Sequence, residues 1–175
     1  DYLECIEKVY EFSDYLAINI SSPNTKGLRA LSEKAFLGKL LIEIKNKQTS
    51  LADTFGYKPI FIKLSPDEDS RGMKDICELI QEHNIDGIIS TNTTLRHDDV
   101  KGGGISGSPL FKLSTEKLIE VRNLIGSDLP IIASGGVMNA QDFYEKITSG
   151  ADLVQIYSGF IFEGPKLVKD VLNKN

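Results

Sequence analysis

Five times along this chain a short apolar run of strand length breaks off into small polar residues or glycine, and a helical pattern follows. Tyr15-Leu16-Ala17-Ile18 opens into Asn19-Ile20-Ser21-Ser22-Pro23-Asn24-Thr25, and Ile60-Phe61-Ile62-Lys63-Leu64 ends in Ser65-Pro66-Asp67. Gly87-Ile88-Ile89-Ser90-Thr91 runs into Asn92-Thr93-Thr94, Pro130-Ile131-Ile132-Ala133-Ser134 into Gly135-Gly136, and Leu153-Val154-Gln155-Ile156-Tyr157 into Ser158-Gly159. Strands that are apolar on both faces and alternate with amphipathic helices imply a parallel sheet built from right-handed crossovers. All five runs place their polar groups at the same strand end, and hence on one rim. That concentration fits a (β/α)8 barrel lacking its first three units better than an open sheet, whose ligands gather at a reversal of strand order. On periodicity alone the open five-stranded sheet remains the alternative.

The helices are read from their caps and stripes. The chain opens on a helix over residues 2–12, with Leu3, Ile6, Val9 and Tyr10 at helical spacing. Ser32 is placed to cap a helix with Phe36, Leu37, Leu40, Leu41 and Ile44 on one side, ended by the polar residues 45–50 and followed by a connector over 51–58. Asp69 or Ser70 caps the next helix, Ser114 starts another that stops at Gly126, and Asn139 caps one closed by Gly150. Pro165 suits the first turn of the last helix.

At 175 residues the chain is expected to form one domain over 1–175. Its net charge of -5 comes with scattered Lys and Arg, which leaves no electrostatic footprint for nucleic acid. Cys5 and Cys77 have no metal-ligand or redox spacing and read as buried or half-buried free thiols in a reducing compartment. No apolar run approaches the ~20 residues that cross a bilayer, and the first residues do not resemble a signal peptide. No GxGxxG, Walker or metal-ligand pattern is present, and neither His83 nor His97 is assigned to catalysis.

Three constellations carry chemistry. Asn19, Ser21, Ser22 and Asn24 crowd one strand end with amides and hydroxyls and no formal charge, a set suited to a planar, hydrogen-bonding ligand; an Asx or Ser turn is the simpler alternative. Lys63 interrupts an apolar strand, where burial is expensive unless an anion or polar ligand meets it; outward bending to pair with Asp67 is the alternative. Ser134-Gly135-Gly136 and Tyr157-Ser158-Gly159 set bare backbone amides side by side at adjacent strand ends, a common phosphate site in barrels. The run Gly102-Gly103-Gly104 with Ser106-Gly107 is either a connector or a surface that a flat cofactor can approach.

AINISSPNTKGLR, FIKLSPD, DGIISTNTT, GGISGSPL, PIIASGGV and GADLVQIYSGFIFEGP, in this order, resemble the carboxyl-terminal half of class 2 (quinone-dependent) dihydroorotate dehydrogenases of bacterial type. The resemblance covers essentially the whole chain. It implies a (β/α)8 barrel to which this chain supplies strands four to eight, and oxidation of dihydroorotate to orotate with FMN as cofactor and a quinone as acceptor, in pyrimidine synthesis. By motif position, Ser22 resembles the catalytic base, in place of the cysteine of class 1 enzymes. Asn19 resembles a residue touching both FMN and substrate, and Asn24, Asn92 and Thr93 resemble substrate ligands. Lys63, Thr91, Gly107, Gly136, Tyr157 and Ser158 resemble FMN ligands, the last three near the phosphate.

The first three strands, their ligands and the amino-terminal helices that bring such enzymes to the cytoplasmic face of the bacterial membrane are absent from the sequence, so peripheral membrane association is expected only through a segment not present here. The loop over 95–102 also looks shorter than its counterparts. An isolated half-barrel is expected to expose two sheet edges and to be inactive alone.

Overall fold

Strands β1 (Leu16–Asn19), β2 (Ile60–Leu64), β3 (Gly87–Ser90), β4 (Ile131–Ser134) and β5 (Leu153–Gln155) pair in parallel in their sequence order, with no reversal. These elements belong to a computed structural model that describes residues 1–21, 34–96 and 103–173. An open doubly wound sheet requires a switch in strand order, so this monotonic order is that of part of a barrel and not of a doubly wound fold.

The helices are α1 (Tyr2–Val9), α2 (Lys34–Phe55), α3 (Ser70–Glu82), α4 (Phe111–Ile125), α5 (Ala140–Thr148), α6 (Ser158–Glu163) and α7 (Pro165–Leu172). Alternate strand residues Leu16, Ile18, Ile60, Ile62, Leu64, Ile88, Ile131 and Ala133 join Leu37, Leu41, Met73, Ile76, Ile80, Leu118 and Val121 of the helices in the main core. The opposite, inner face carries a second small core of Phe61, Ile89 and Ile132. Here Gly87 is obligatory: a Cβ would lie 2.2 Å from Cε1 of Phe61. Toward the carboxyl ends this face turns polar, with Asn19 in register with Lys63 and Ser134 with Gln155.

Several boundaries depart from the sequence-based expectation. α2 runs through the polar stretch to Phe55, ending where Gly56 takes a φ of 77° and donates to Ala52 O at 2.9 Å. The cause is Gln48, which is buried and bonds Lys58 O at 2.8 Å and Asp86 Oδ2 at 2.9 Å, tying α2 to the lower rim. α4 begins at Phe111, not Ser114, because a 3-10 turn over Ser108–Leu110, with Pro109 in it, starts the winding early. Ser114 is then an inward side chain instead of a cap. The caps at Asp69 and Asn139 form, each accepting from the amide three residues on, whereas Ser32 lies outside the described residues. Cys5 is exposed, contrary to expectation, because it lies off the buried Ile6 face of α1; Cys77 is buried.

Candidate active site

The inward residues at the carboxyl ends of β2 to β5 and the loops that follow them enclose a cavity of about 400 Å³. Lys63, Thr91, Asn92, Thr93, Gly107, Gly136, Tyr157 and Ser158, all singled out from sequence, line it. Asn19 joins them by hydrogen bonds, and Ser22 and Asn24 lie outside the described residues, as does most of the short loop after Leu95.

On the β1 to β3 side a small amide network fixes the rim. Asn19 Oδ1 accepts from the backbone N–H of Ser21 (3.2 Å) and from Asn92 Nδ2 (3.1 Å). Ser21 Oγ donates to Lys63 O at 2.7 Å and accepts from Asn92 Nδ2 at 3.2 Å, while Asn92 Oδ1 accepts from Thr93 N at 2.8 Å. Ser21, buried, is the hub of this network, and no period or motif distinguished it from its neighbours. Thr91 is buried and its N–H is held by Ser134 O at 2.9 Å.

Lys63 is half-buried and directed into the cavity. Asp67 does not pair with it: that carboxylate accepts from the Thr94 hydroxyl and from Leu95 N, with Arg96 alongside. Among the described residues no carboxylate reaches the Lys63 ammonium. Burial without a compensating charge therefore holds its pKa below the ordinary lysine range.

On the β4 and β5 side, Gly135 and Gly136 both have positive φ (116° and 82°), and Gly107 (72°) faces Ser158. Glycine at 136 has a packing reason of its own, since a Cβ there would lie 2.4 Å from Cα of Phe111. The Ser106 and Ser158 hydroxyls are 2.8 Å apart, bringing the glycine loop against the start of α6. Among the described residues no hydrogen bond takes the N–H of Gly136 or Val137, although both residues are buried at the cavity wall. Buried unpaired amides are rare and favour a bound acceptor, and an anion suits them best. Ser106, Ser134 and Gln155 also line the cavity; for Ser134 and Gln155 the inward period-two positions shared with Lys63 were the available signal.

The arrangement thus offers a planar-ligand cleft with amides and one cation at one end and bare backbone donors at the other. The chain is similar to known proteins in sequence and fold. A dihydroorotate dehydrogenase (quinone) of Aliivibrio salmonicida is 47% identical over 99% of this chain, and one of Methylobacillus flagellatus 47% identical over 98%. The chain spans about half the length of these curated relatives (54% and 53%). Among solved structures, the Eimeria tenella enzyme described in complex with ferulenol superimposes with a TM-score of 0.91 at 32% identity, over 98% of this chain and 51% of that one. With the dihydroorotate dehydrogenase family matched over residues 1–174 as well, fold and sequence converge, and the chain belongs to that family.

Proposed function

We propose that this chain is strands four to eight of a quinone-dependent dihydroorotate dehydrogenase, an enzyme that oxidises dihydroorotate to orotate for pyrimidine synthesis. The observation that carries the reading is the convergence at one cavity of Asn92, held by Asn19 and Ser21, with the Lys63 ammonium and the Gly136 and Val137 amides, none of which has an ion-pair or hydrogen-bond partner of its own among the described residues. The donor set fits FMN: a cation at the ring's electron-rich edge, neutral amides along its polar rim and backbone N–H groups for the phosphate. Lys63, Thr91 and Gly107 would hold the ring and ribityl portion, and Gly136, Tyr157 and Ser158 the phosphate. When bound, FMN supplies the acceptor for the hydride that leaves C6 of the substrate.

The chain's own residues orient and deprotonate. Asn19, Asn24, Asn92 and Thr93 would bind and orient the dihydroorotate ring. Ser22 removes the C5 proton, so that the C5–H and C6–H bonds break as the C5=C6 double bond forms. A serine hydroxyl is a weak base at neutral pH, so Ser22 must pass its own proton to water or a neighbouring hydroxyl as it takes the new one. The two electrons leave to a quinone. Among the described residues no helix is long and apolar enough to cross a membrane. By resemblance to such enzymes, the reading assigns peripheral attachment at the cytoplasmic face of a bacterial membrane to their amino-terminal segment.

By itself the chain should not turn over. Among the described residues β1 and β5 each have a neighbour on one side only, and Leu153 on the inner face is 62% exposed. Holding both reactants is what catalysis requires, and a misplacement of about 1 Å can cost on the order of a hundredfold in rate. The test is dihydroorotate-dependent quinone reduction with excess FMN, by this chain and by a version completed with an amino-terminal half-barrel. Turnover only in the completed protein is expected; equal turnover in both refutes the half-barrel reading, and none in either refutes the activity.

A further inference from the structure

Lys146, on α5, is fully buried behind the Gly135–Gly136 turn. Its ammonium donates to Ser114 Oγ at 2.6 Å, to Thr115 Oγ1 at 2.8 Å and, more weakly, to Phe111 O at 3.4 Å, and it lies 4.8 Å from the centre of the Phe111 ring. Every acceptor is neutral. Among the described residues no carboxylate forms an ion pair with it; Glu145 and Asp142 on its own helix help only from a distance, and burial pulls its pKa down to about 8. A methionine would fill the same space without the penalty of an isolated buried charge, so packing alone does not account for a lysine here.

The direction of the network supplies a reason. Ser114 Oγ, which accepts from Lys146, lies 2.9 Å from Gly135 O and 3.0 Å from Phe111 O; Phe111 O already accepts from Thr115 Oγ1 at 2.8 Å, so the single hydroxyl proton goes to Gly135 O. The peptide between Gly135 and Gly136 is planar and trans, so a carbonyl anchored toward α4 turns the Gly136 N–H the opposite way, away from α4 and toward the cavity that Gly136 lines. A hydrogen bond to the carbonyl also polarises that N–H as a donor. The same lysine braces Phe111, whose backbone fixes how closely the Gly136 turn can approach. The cation therefore stands behind a turn whose amides have no acceptor among the described residues.

We propose that Lys146 is a positioning residue for the flavin phosphate: through Ser114 it fixes the Gly135–Gly136 peptide with its N–H toward the cavity, and its buried positive charge strengthens that turn's hold on a dianion. This rests on the FMN reading above.

The test compares FMN with riboflavin, which lacks only the phosphate, by flavin fluorescence quenching on the completed apoprotein. Lys146→Met should weaken FMN at least tenfold and riboflavin less than twofold, narrowing the preference between them; a merely structural role would weaken both alike. Ser114→Ala, which breaks the relay while leaving Lys146 its other two acceptors, should narrow the preference about threefold and serves if the methionine variant does not fold. An unchanged preference in the folded variant overturns the role of Lys146 and leaves the FMN site standing. Wild-type protein that binds the two flavins equally overturns the phosphate site, and this role with it.

Discussion

The side-chain amide of Asn92 donates to Oδ1 of Asn19 at 3.1 Å, joining the ends of β3 and β1 over the end of β2. With the Ser21 N–H donating to the same oxygen, the carbonyl end of Asn19 is occupied, and its Nδ2, which has no partner among the described residues, is left as a donor to a ligand. Asn19→Asp would keep the acceptor but replace that donor with a negative charge facing the substrate carboxylate. In the completed enzyme the KM for dihydroorotate should rise by about tenfold or more, a transition-state loss of at least ~1.4 kcal/mol if kcat is unchanged. A KM within twofold of wild type would remove Asn19 from the substrate site.

Lys63 should act on the flavin's electron affinity. Its ammonium enters the cavity without a carboxylate partner among the described residues, so a flavin that gains negative charge on reduction would be stabilised by it. Lys63→Met is expected to lower the midpoint potential of bound FMN by roughly 30 mV or more, where 30 mV corresponds to ~1.4 kcal/mol for a two-electron couple. Spectroelectrochemistry of the variant reads this directly, and an unshifted potential would place Lys63 away from the ring.

Most of the barrel's framework was legible because apolar strands, caps and punctuating glycines are local signals: Asp69, Asn139 and Pro165 stand where they were expected. The errors came where a polar side chain serves a distant element. Gln48 reads as the end of a helix, yet it is buried against Lys58 and Asp86 and the helix continues for seven residues beyond it, to Phe55. Ser114 reads as a cap, yet it turns inward to Gly135 and Lys146. Lys146 itself follows Glu145 in a helix and looks like a solvated charge; it is buried where α5 packs on α4 and its ammonium meets Ser114 and Thr115. The lining of the cavity was legible by motif, but the hub role of Ser21 depends on Lys63 and Asn92, which are far from it in sequence.

Lys146 also gives stability a pH dependence. Its pKa is lowered from 10.5 to about 8 in the fold, so the burial cost is fully present below pH 8, where the lysine is charged in both states. Between pH 8 and 10.5 the folded state gives up the proton first, the unfolded chain binds more protons, and stability recovers by on the order of 3 kcal/mol. Lys146→Met should therefore exceed wild-type apoprotein in denaturant midpoint at pH 7, with the gap closing by pH 10. A gap that stays constant across that range would mean that Lys146 does not titrate there.

Chemistry at the rim is tested most directly by anaerobic mixing of the completed, FMN-loaded protein with dihydroorotate, following the loss of flavin absorbance in wild type and in Ser22→Ala. If Ser22 is the base, the alanine variant retains FMN and binds orotate but bleaches at least a hundredfold more slowly, since general-base catalysis contributes about 10²–10⁴ in rate. Ser22→Cys should keep part of the activity. Undiminished bleaching in the alanine variant would contradict the account at its centre.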